Sequence, residues 1–342
     1  MKVRIQDIAQ RAGVSSATVS NALNNRGGVG EKKQKQILSI AREMGYVLDR
    51  SSLAGKEYIR LVIFKRHGLV VMDTQFFAEI MESMTREARQ KGYELLVTHI
   101  HMEKDQDYLE QIREVCAEEC AGIILLATEM FTEDVRLFAH AKAPLLVLDS
   151  LFRHEEFNCV VMNNYEAGFK AAQRLIAMGH TRIGHVTASV RFNNMRYRRK
   201  GFEAAMIAEG LPLPPDFLWQ VTPTVEGAYR DMLELLDQRK TPLPTAFFIA
   251  NDVMAVGCVR ALKERGVHIP RDVSVIGMDD LEICQITNPP LSTIRVYRED
   301  ISRIAVQRLV NMMEPDAPRS VQKIEVSVAL VDRQSIRDLN GN

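Results

Sequence analysis

The sequence predicts an N-terminal all-α segment followed by an α/β chain built in two successive blocks. Three observations predict it. Two short helical patterns meet at Gly13-Val14-Ser15. From Ile59 the pattern changes to short apolar runs punctuated by amphipathic helices, which means a parallel sheet covered on both faces. After Tyr165 the same alternation begins again, which implies two similar subdomains. A chain of 342 residues is long for one core and fits two or three domains. With 46% hydrophobic and 26% charged residues, its composition is that of a soluble globular protein.

In the first segment Ile5, Ile8, Ala9 and Ala12 share one face at helical spacing. Gly13 stands where a glycine ends a helix, and Ser15 is placed to cap the next one. The second helix buries Val19, Ala22 and Leu23 and turns Ser16, Ala17, Ser20 and Asn21 outward. A small polar outer face suits a helix that enters a DNA groove, although an ordinary αα-hairpin would show the same periodicity. Residues 24–30 are a turn-rich loop. Glu31–Gly45 reads as a third helix, with Ile37, Ala41 and Met44 inward and Lys32, Lys33 and Lys35 available to phosphates. Residues 1–58 hold ten basic and five acidic side chains, a net +5 in a chain of net charge zero. A basic head on an acidic body is the electrostatic pattern of a nucleic-acid-binding domain joined to something else.

The first α/β block reads as strand Ile59–Phe64, helix Phe76–Lys91, strand Tyr93–Ile100, helix Asp107–Glu119, strand Gly122–Leu126, helix Thr132–Ala141 and strand Pro144–Leu148. The second reads as helix Tyr165–Met178, strand Arg182–Thr187, helix Arg196–Glu209, strand Leu218–Val221, helix Glu226–Gln238, strand Ala246–Ala250, helix Val253–Arg265 and strand Ser274–Gly277. Polar residues follow several strands: Asp149 after P-L-L-V-L, Asn251 after A-F-F-I-A, and Asp279-Asp280 after S-V-I-G-M.

Several function classes find no support. No phosphate loop, nucleophile elbow or HExxH pattern is present, so neither an enzyme nor a catalytic residue is expected. The five cysteines are scattered and odd in number, and the histidines lack ligand spacing, so no metal and no cofactor are expected. No apolar run resembles a signal peptide or approaches a membrane span of about 18 residues, which points to a cytoplasmic protein with no membrane partner.

The run Asp7-Ile8-Ala9, Ala12-Gly13-Val14-Ser15, Thr18-Val19-Ser20, Leu23-Asn24, with Val29, Glu31 and Met44-Gly45-Tyr46 after it, resembles the lactose-repressor (LacI/GalR) family. The resemblance continues to the C-terminus. It implies a helix-turn-helix domain over residues 1–46 and a hinge over 47–58 whose Leu53 would wedge into the minor groove. It also implies a core of two doubly wound parallel-sheet lobes like the periplasmic sugar-binding proteins, with a ligand between them. The first lobe would comprise 59–161 with 293–320 and the second 162–292 with 321–342. The crossings would fall near Met162, Ser292 and Ser320. The linker is shorter than the family's usual one, and Val47-Leu48-Asp49 replaces its customary Pro-Asn stretch.

The resemblance places Asp149, Arg198, Asn251 and Asp279 at effector contacts and Phe76 and Phe77 on the cleft wall. Arg198 lies in R-x-R-x-x-G-F, a close match to the family. Each has an alternative role. Asn251 would also cap its helix, Asp149 and Asp279 would also serve as turn residues, Arg198 would also pair with Asp279, and the phenylalanines would also serve as core or dimer contacts. The aromatic platform of sugar-binding members falls near Thr222, which is not aromatic.

The expected protein is a repressor of transcription, with double-stranded operator DNA and a carbohydrate or nucleoside-like effector as partners. After Val331 only Ile336 and Leu339 are apolar and no heptad appears, so a homodimer is expected rather than a tetramer. Alternatives are a cytoplasmic small-molecule binding protein and a regulator controlled by a protein corepressor.

Overall fold

The computed structural model describes residues 5–23, 58–71, 75–314 and 320–341, with Gly30, Lys33, Gln34, Gln36, Ile37, Ser39, Ile40, Met44 and Asp316 besides. The chain forms two compact units, Met1–Lys56 and Glu57–Asn342. The expected hinge with Leu53 lies outside the described residues, as does much of the Glu31–Gly45 helix.

In the small unit, helices Ile5–Ala12 and Ser16–Leu23 are joined at Gly13, whose φ of +64° favours glycine. Ser15 Oγ accepts the Thr18 amide at 3.1 Å, the expected N-cap. Ile8, Ala9, Ala12, Val19, Ala22 and Ile37 are buried together. Lys33 Nζ donates to the Ala12 carbonyl at 3.3 Å and to Gln36, so it closes the end of the first helix, where the sequence reading leaves it for phosphate.

The large unit holds two six-stranded sheets. The first has strands β1 (Tyr58–Lys65), β2 (Glu94–His101), β3 (Gly122–Leu126), β4 (Leu145–Leu148), β5 (Asn158–Met162) and β11 (Lys323–Val326), in the order β11-β5-β4-β3-β1-β2. The second has β6 (Ile183–Ala188), β7 (Leu218–Val221), β8 (Ala246–Ile249), β9 (Ser274–Asp279), β10 (Ser292–Arg295) and β12 (Ala329–Val331), in the order β12-β10-β9-β8-β6-β7. Every pairing is parallel except β10 with β12. The first five strands of each sheet follow one doubly wound order, which opens a crevice at the carboxyl ends of β1 and β3 and of β6 and β8.

Three differences from the sequence reading matter. The chain passes between sheets after Met162, and its other passages come later than Ser292 and Ser320. Ser292–Arg295 hydrogen-bonds to β9 and so stays in the second sheet, and Lys323–Val326 hydrogen-bonds to β5 and so stays in the first. The helix expected at Arg196 begins at Asn193. The helix expected over Thr132–Ala141 is α-helical only to Arg136 and continues as tight turns, such as the Ala141 amide to the Phe138 carbonyl.

Helices Asn164–Ala177 and Asn193–Ala208 cross with backbones in contact. A Cβ on Gly168 would lie 1.9 Å from the Arg198 carbonyl oxygen, and one on Gly201 would lie 1.9 Å from that of Tyr165. Only glycine fits there, and the close approach carries Arg198 toward the space between the sheets.

Candidate functional site

At the carboxyl ends of both sheets lies a cavity of about 230 Å³. At about 30 Å³ per water it has room for roughly eight waters, or one small ring compound. Asp149, Arg198, Asn251 and Asp279 all border it, as do Phe76 and Phe77. Residues far apart in sequence thus meet because each follows a strand or lies in the first two turns of a helix.

Arg198 is buried. Its Nε donates to Asn164 Oδ1 at 2.9 Å, Nη1 donates to the Ala250 carbonyl, and Nη2 lies 3.9 Å from Asp279 Oδ1. Burial pulls its guanidinium down from the ordinary value, while Asp279, Asp149 and Asp252 pull it back up. The pairing with Asp279 weighed from sequence is therefore loose, and the firm partners are Asn164 and the end of β8.

Asp149 ends its strand with φ +64°. Its Oδ2 accepts Thr128 Oγ1 at 2.6 Å, and Asn194 Nδ2 donates to its carbonyl oxygen and, at 3.2 Å, to Oδ1. Burial pushes this carboxyl up to about 6 against the pull of Thr128 and Arg198.

Asp279 and Asp280 also have positive φ, +118° and +56°, conformations an aspartate holds only when its surroundings impose them. The two point to different partners. Asp280 pairs with Arg333 at 2.6 Å and Arg295 at 2.7 Å. Asp279 borders the cavity, and its buried Oδ1 has no hydrogen-bond partner. Burial pushes its carboxyl up to about 8, opposed by Arg198 and reinforced by Asp252. Arg298 fixes the strained pair by donating to both carbonyl oxygens, and its Nε holds Glu79 of the first lobe.

Asn251 Oδ1 caps the helix Asp252–Glu264 through the Met254 amide at 2.8 Å. The capping role weighed from sequence is real, and Asn251 borders the cavity as well. Phe76 and Phe77 meet edge to face with ring centroids 5.2 Å apart. They are core and wall at once.

Several bordering residues escaped the sequence reading. Phe192 supplies an aromatic face from the second lobe where Thr222 does not. Asn194 positions Asp149, and Asn164, which lies behind the cavity wall and does not border it, positions Arg198. Thr128 follows β3 as Asp149 follows β4, and that polar residue after an apolar run was a readable signal.

In the small unit, Ser16 is exposed and Asn21 half-buried on the second helix. The side chains of Ala17 and Ser20 lie outside those described. Among the described residues, no group of three or more His, Cys, Asp or Glu could hold a metal ion, and no helix is long and apolar enough to cross a membrane.

Comparison with known proteins gives two family matches. Residues 4–49 match bacterial regulatory proteins of the lacI family, and residues 172–336 match a periplasmic binding protein-like domain. Among curated relatives, the HTH-type transcriptional repressor PurR of Pasteurella multocida is 30% identical over 339 residues, covering 97% of this chain and 98% of that protein. The PurR repressor of Haemophilus influenzae strain Rd is 29% identical over 98% of this chain and 99% of its own length. Among solved structures, the Lac repressor dimer bound to operator and the anti-inducer ONPF matches with a TM-score of 0.73 at 22% identity, covering 98% of this chain and 100% of that one. A complex of the regulator CelR with cellobiose matches with a TM-score of 0.73 at 21% identity over the same shares. A LacI family regulator from Enterococcus faecium with bound ribose matches with a TM-score of 0.67 at 23% identity, covering 82% of this chain and 99% of that one.

Proposed function

The chain belongs to the LacI family of bacterial regulatory proteins and is a DNA-binding transcriptional repressor, and from that premise we propose that a small sugar-like or nucleoside-like ring governs its operator affinity from the cavity between the lobes. One observation carries the reading. A single cavity of ring size is bordered by carboxylates, a guanidinium, amides and three phenylalanines drawn from both lobes.

The chemistry fits a polyhydroxylated ring. Asp149 and the unpartnered Oδ1 of Asp279 accept hydrogen bonds from hydroxyls. Arg198 donates through the N–H groups left free of Asn164 and Ala250, Asn194 offers its amide oxygen as a further acceptor, and Phe76, Phe77 and Phe192 offer apolar surface to a ring face. A carbohydrate is the favoured class, since two of the fold's solved neighbours are described with cellobiose and ribose. Because the ligand would touch both lobes, its binding would favour one lobe arrangement and shift the DNA-binding equilibrium with it.

On the DNA side, the proposed contacts are Ser16, Ala17, Ser20 and Asn21 in the major groove, with Leu53 in the minor groove. The repressor would act in the cytoplasm as a homodimer, reading two half-sites one helical turn apart.

A thermal-shift screen against sugars, sugar phosphates, nucleosides and purines tests the ligand reading. A true effector at a hundred times its Kd stabilises by about 2.7 kcal/mol. That compound should also change operator affinity at least fivefold in fluorescence anisotropy. If no compound stabilises the protein, and none alters operator binding, the small-molecule reading fails.

A further inference from the structure

The loop after β1, residues 66–71, is organised by one carboxylate from another loop. Glu129 follows β3, and its side chain is fully buried. Its Oε2 accepts the backbone amides of Arg66, His67 and Gly68 at 2.8, 3.1 and 2.9 Å. Its Oε1 accepts those of Val70 and Val71, both at 2.9 Å. A buried carboxylate with five N–H donors is satisfied chiefly by backbone, with the His67 imidazole 3.4 Å from Oε2 besides. The donors are five of the six residues 66–71, the Leu69 amide going to His67 Nδ1 instead, so the loop must wrap around it. Gly68, with φ +69°, makes the wrap possible; a Cβ there would have room, so backbone conformation is what calls for glycine. A second tie runs the other way, from Arg66 to Asp134, with the guanidinium 4.6 Å above the Phe131 ring.

The wrapped loop presents Val70 at the cavity, packed against the hydrophobic core of the second lobe. The neighbouring Thr128 holds Asp149 from the other side of the same chain segment. Glu129 itself does not border the cavity. We propose that Glu129 is a positioning residue for ligand binding, holding the 66–71 loop so that Val70 completes the cavity wall and bears on the opposite lobe. The inference rests on the cavity being the effector site.

Glu129→Gln keeps the size of the side chain but turns one oxygen into a donor. In either orientation the amide then faces backbone N–H groups with its own N–H. In full-length protein, hydrogen exchange of the Arg66–Val71 amides should quicken at least tenfold, while that of the second lobe stays at wild-type rates. The companion variant, Val70→Ala, leaves the five hydrogen bonds in place and should exchange like wild type.

D-ribose and adenosine serve as probes of binding. Whichever binds the wild type should bind Glu129→Gln at least tenfold more weakly and Val70→Ala several-fold more weakly. The melting temperature of ligand-free Val70→Ala should stay close to wild type, a split that a purely structural role would not give. Unchanged exchange of the loop amides in Glu129→Gln overturns the proposal, as does wild-type affinity in both variants. If neither probe binds the wild type, the choice of sugar and nucleoside is what fails, and the exchange comparison still decides the role of Glu129.

Discussion

Replacing Asp279 by asparagine should make the ligand-free protein more stable in alkaline solution. The carboxyl is 7% exposed, and one of its oxygens has no hydrogen-bond partner. The nearest guanidinium nitrogen, on Arg198, is 3.9 Å away. Burial raises the carboxyl from an ordinary value of 3.8 to about 8. The native state therefore holds this proton more tightly than the unfolded chain does. The resulting stability is fully present below about pH 4 and is lost as pH rises through about 8. At 1.36 kcal/mol per unit the ceiling is about 6 kcal/mol; the part that falls between pH 5 and pH 9, shared with the neighbouring carboxylates, is about 2–4 kcal/mol. Asparagine keeps the shape, meets the same backbone strain as aspartate and cannot ionise. At roughly 2 °C per kcal/mol for a chain of this size, wild type should lose about 4–8 °C more than Asp279→Asn between pH 5 and pH 9. Calorimetric melts of both proteins at the two pH values measure it. Parallel pH dependence would refute the reasoning, because the buried unpaired carboxylate would then cost nothing to ionise.

Other substitutions probe other parts of the structure. Gly201→Ala places a methyl 1.9 Å from the Tyr165 carbonyl oxygen and should cost about 1–3 kcal/mol or more in urea unfolding; an unchanged midpoint would mean the helices part freely. Arg198→Ala leaves Asn164, the Ala250 carbonyl and three carboxylates without their cation, and should cost about 3–5 kcal/mol as well as the ligand response. Arg198→Lys, which keeps the charge and loses the fork, should recover part of that stability in melts and none of the response. Asn21→Ala should weaken operator binding by roughly 1–3 kcal/mol if Asn21 reads a base; an equal loss on random DNA would make it a backbone contact.

What the sequence made legible follows its local signals. Gly13 and Ser15 mark the turn between the first helices because helix ends are satisfied locally. Asp149, Asn251 and Asp279 stand out because each follows an apolar strand, and doubly wound sheets bring such ends together. The second and third passages between lobes come later than the sequence reading puts them because S-T-I-R and K-I-E-V are four-residue strands whose sheet is decided by distant partners. Asn194 gives no signal in a sequence reading that starts its helix at Arg196, because the first turn from Asn193 is mostly polar and carries no apolar periodicity. For Arg198 the resemblance implies an effector contact and the residues offer Asp279 as its alternative partner, whereas Asn164 and the Ala250 carbonyl occupy much of the guanidinium, and neither is near it in sequence. Glu129 gives no local sign of its role, since its partners are amides some sixty residues earlier.

The central claim is that the cavity between the lobes governs the grip on DNA. The most direct measurement is operator affinity with and without a saturating stabilising compound, in wild type and in Asp149→Ala. Asp149 borders the cavity and belongs to the large unit, apart from the helices that would meet DNA. The account predicts that the compound shifts wild-type affinity at least fivefold, that Asp149→Ala binds operator like unliganded wild type, and that the compound no longer shifts it. A shift of the same size in Asp149→Ala, at the same compound concentration, would contradict it.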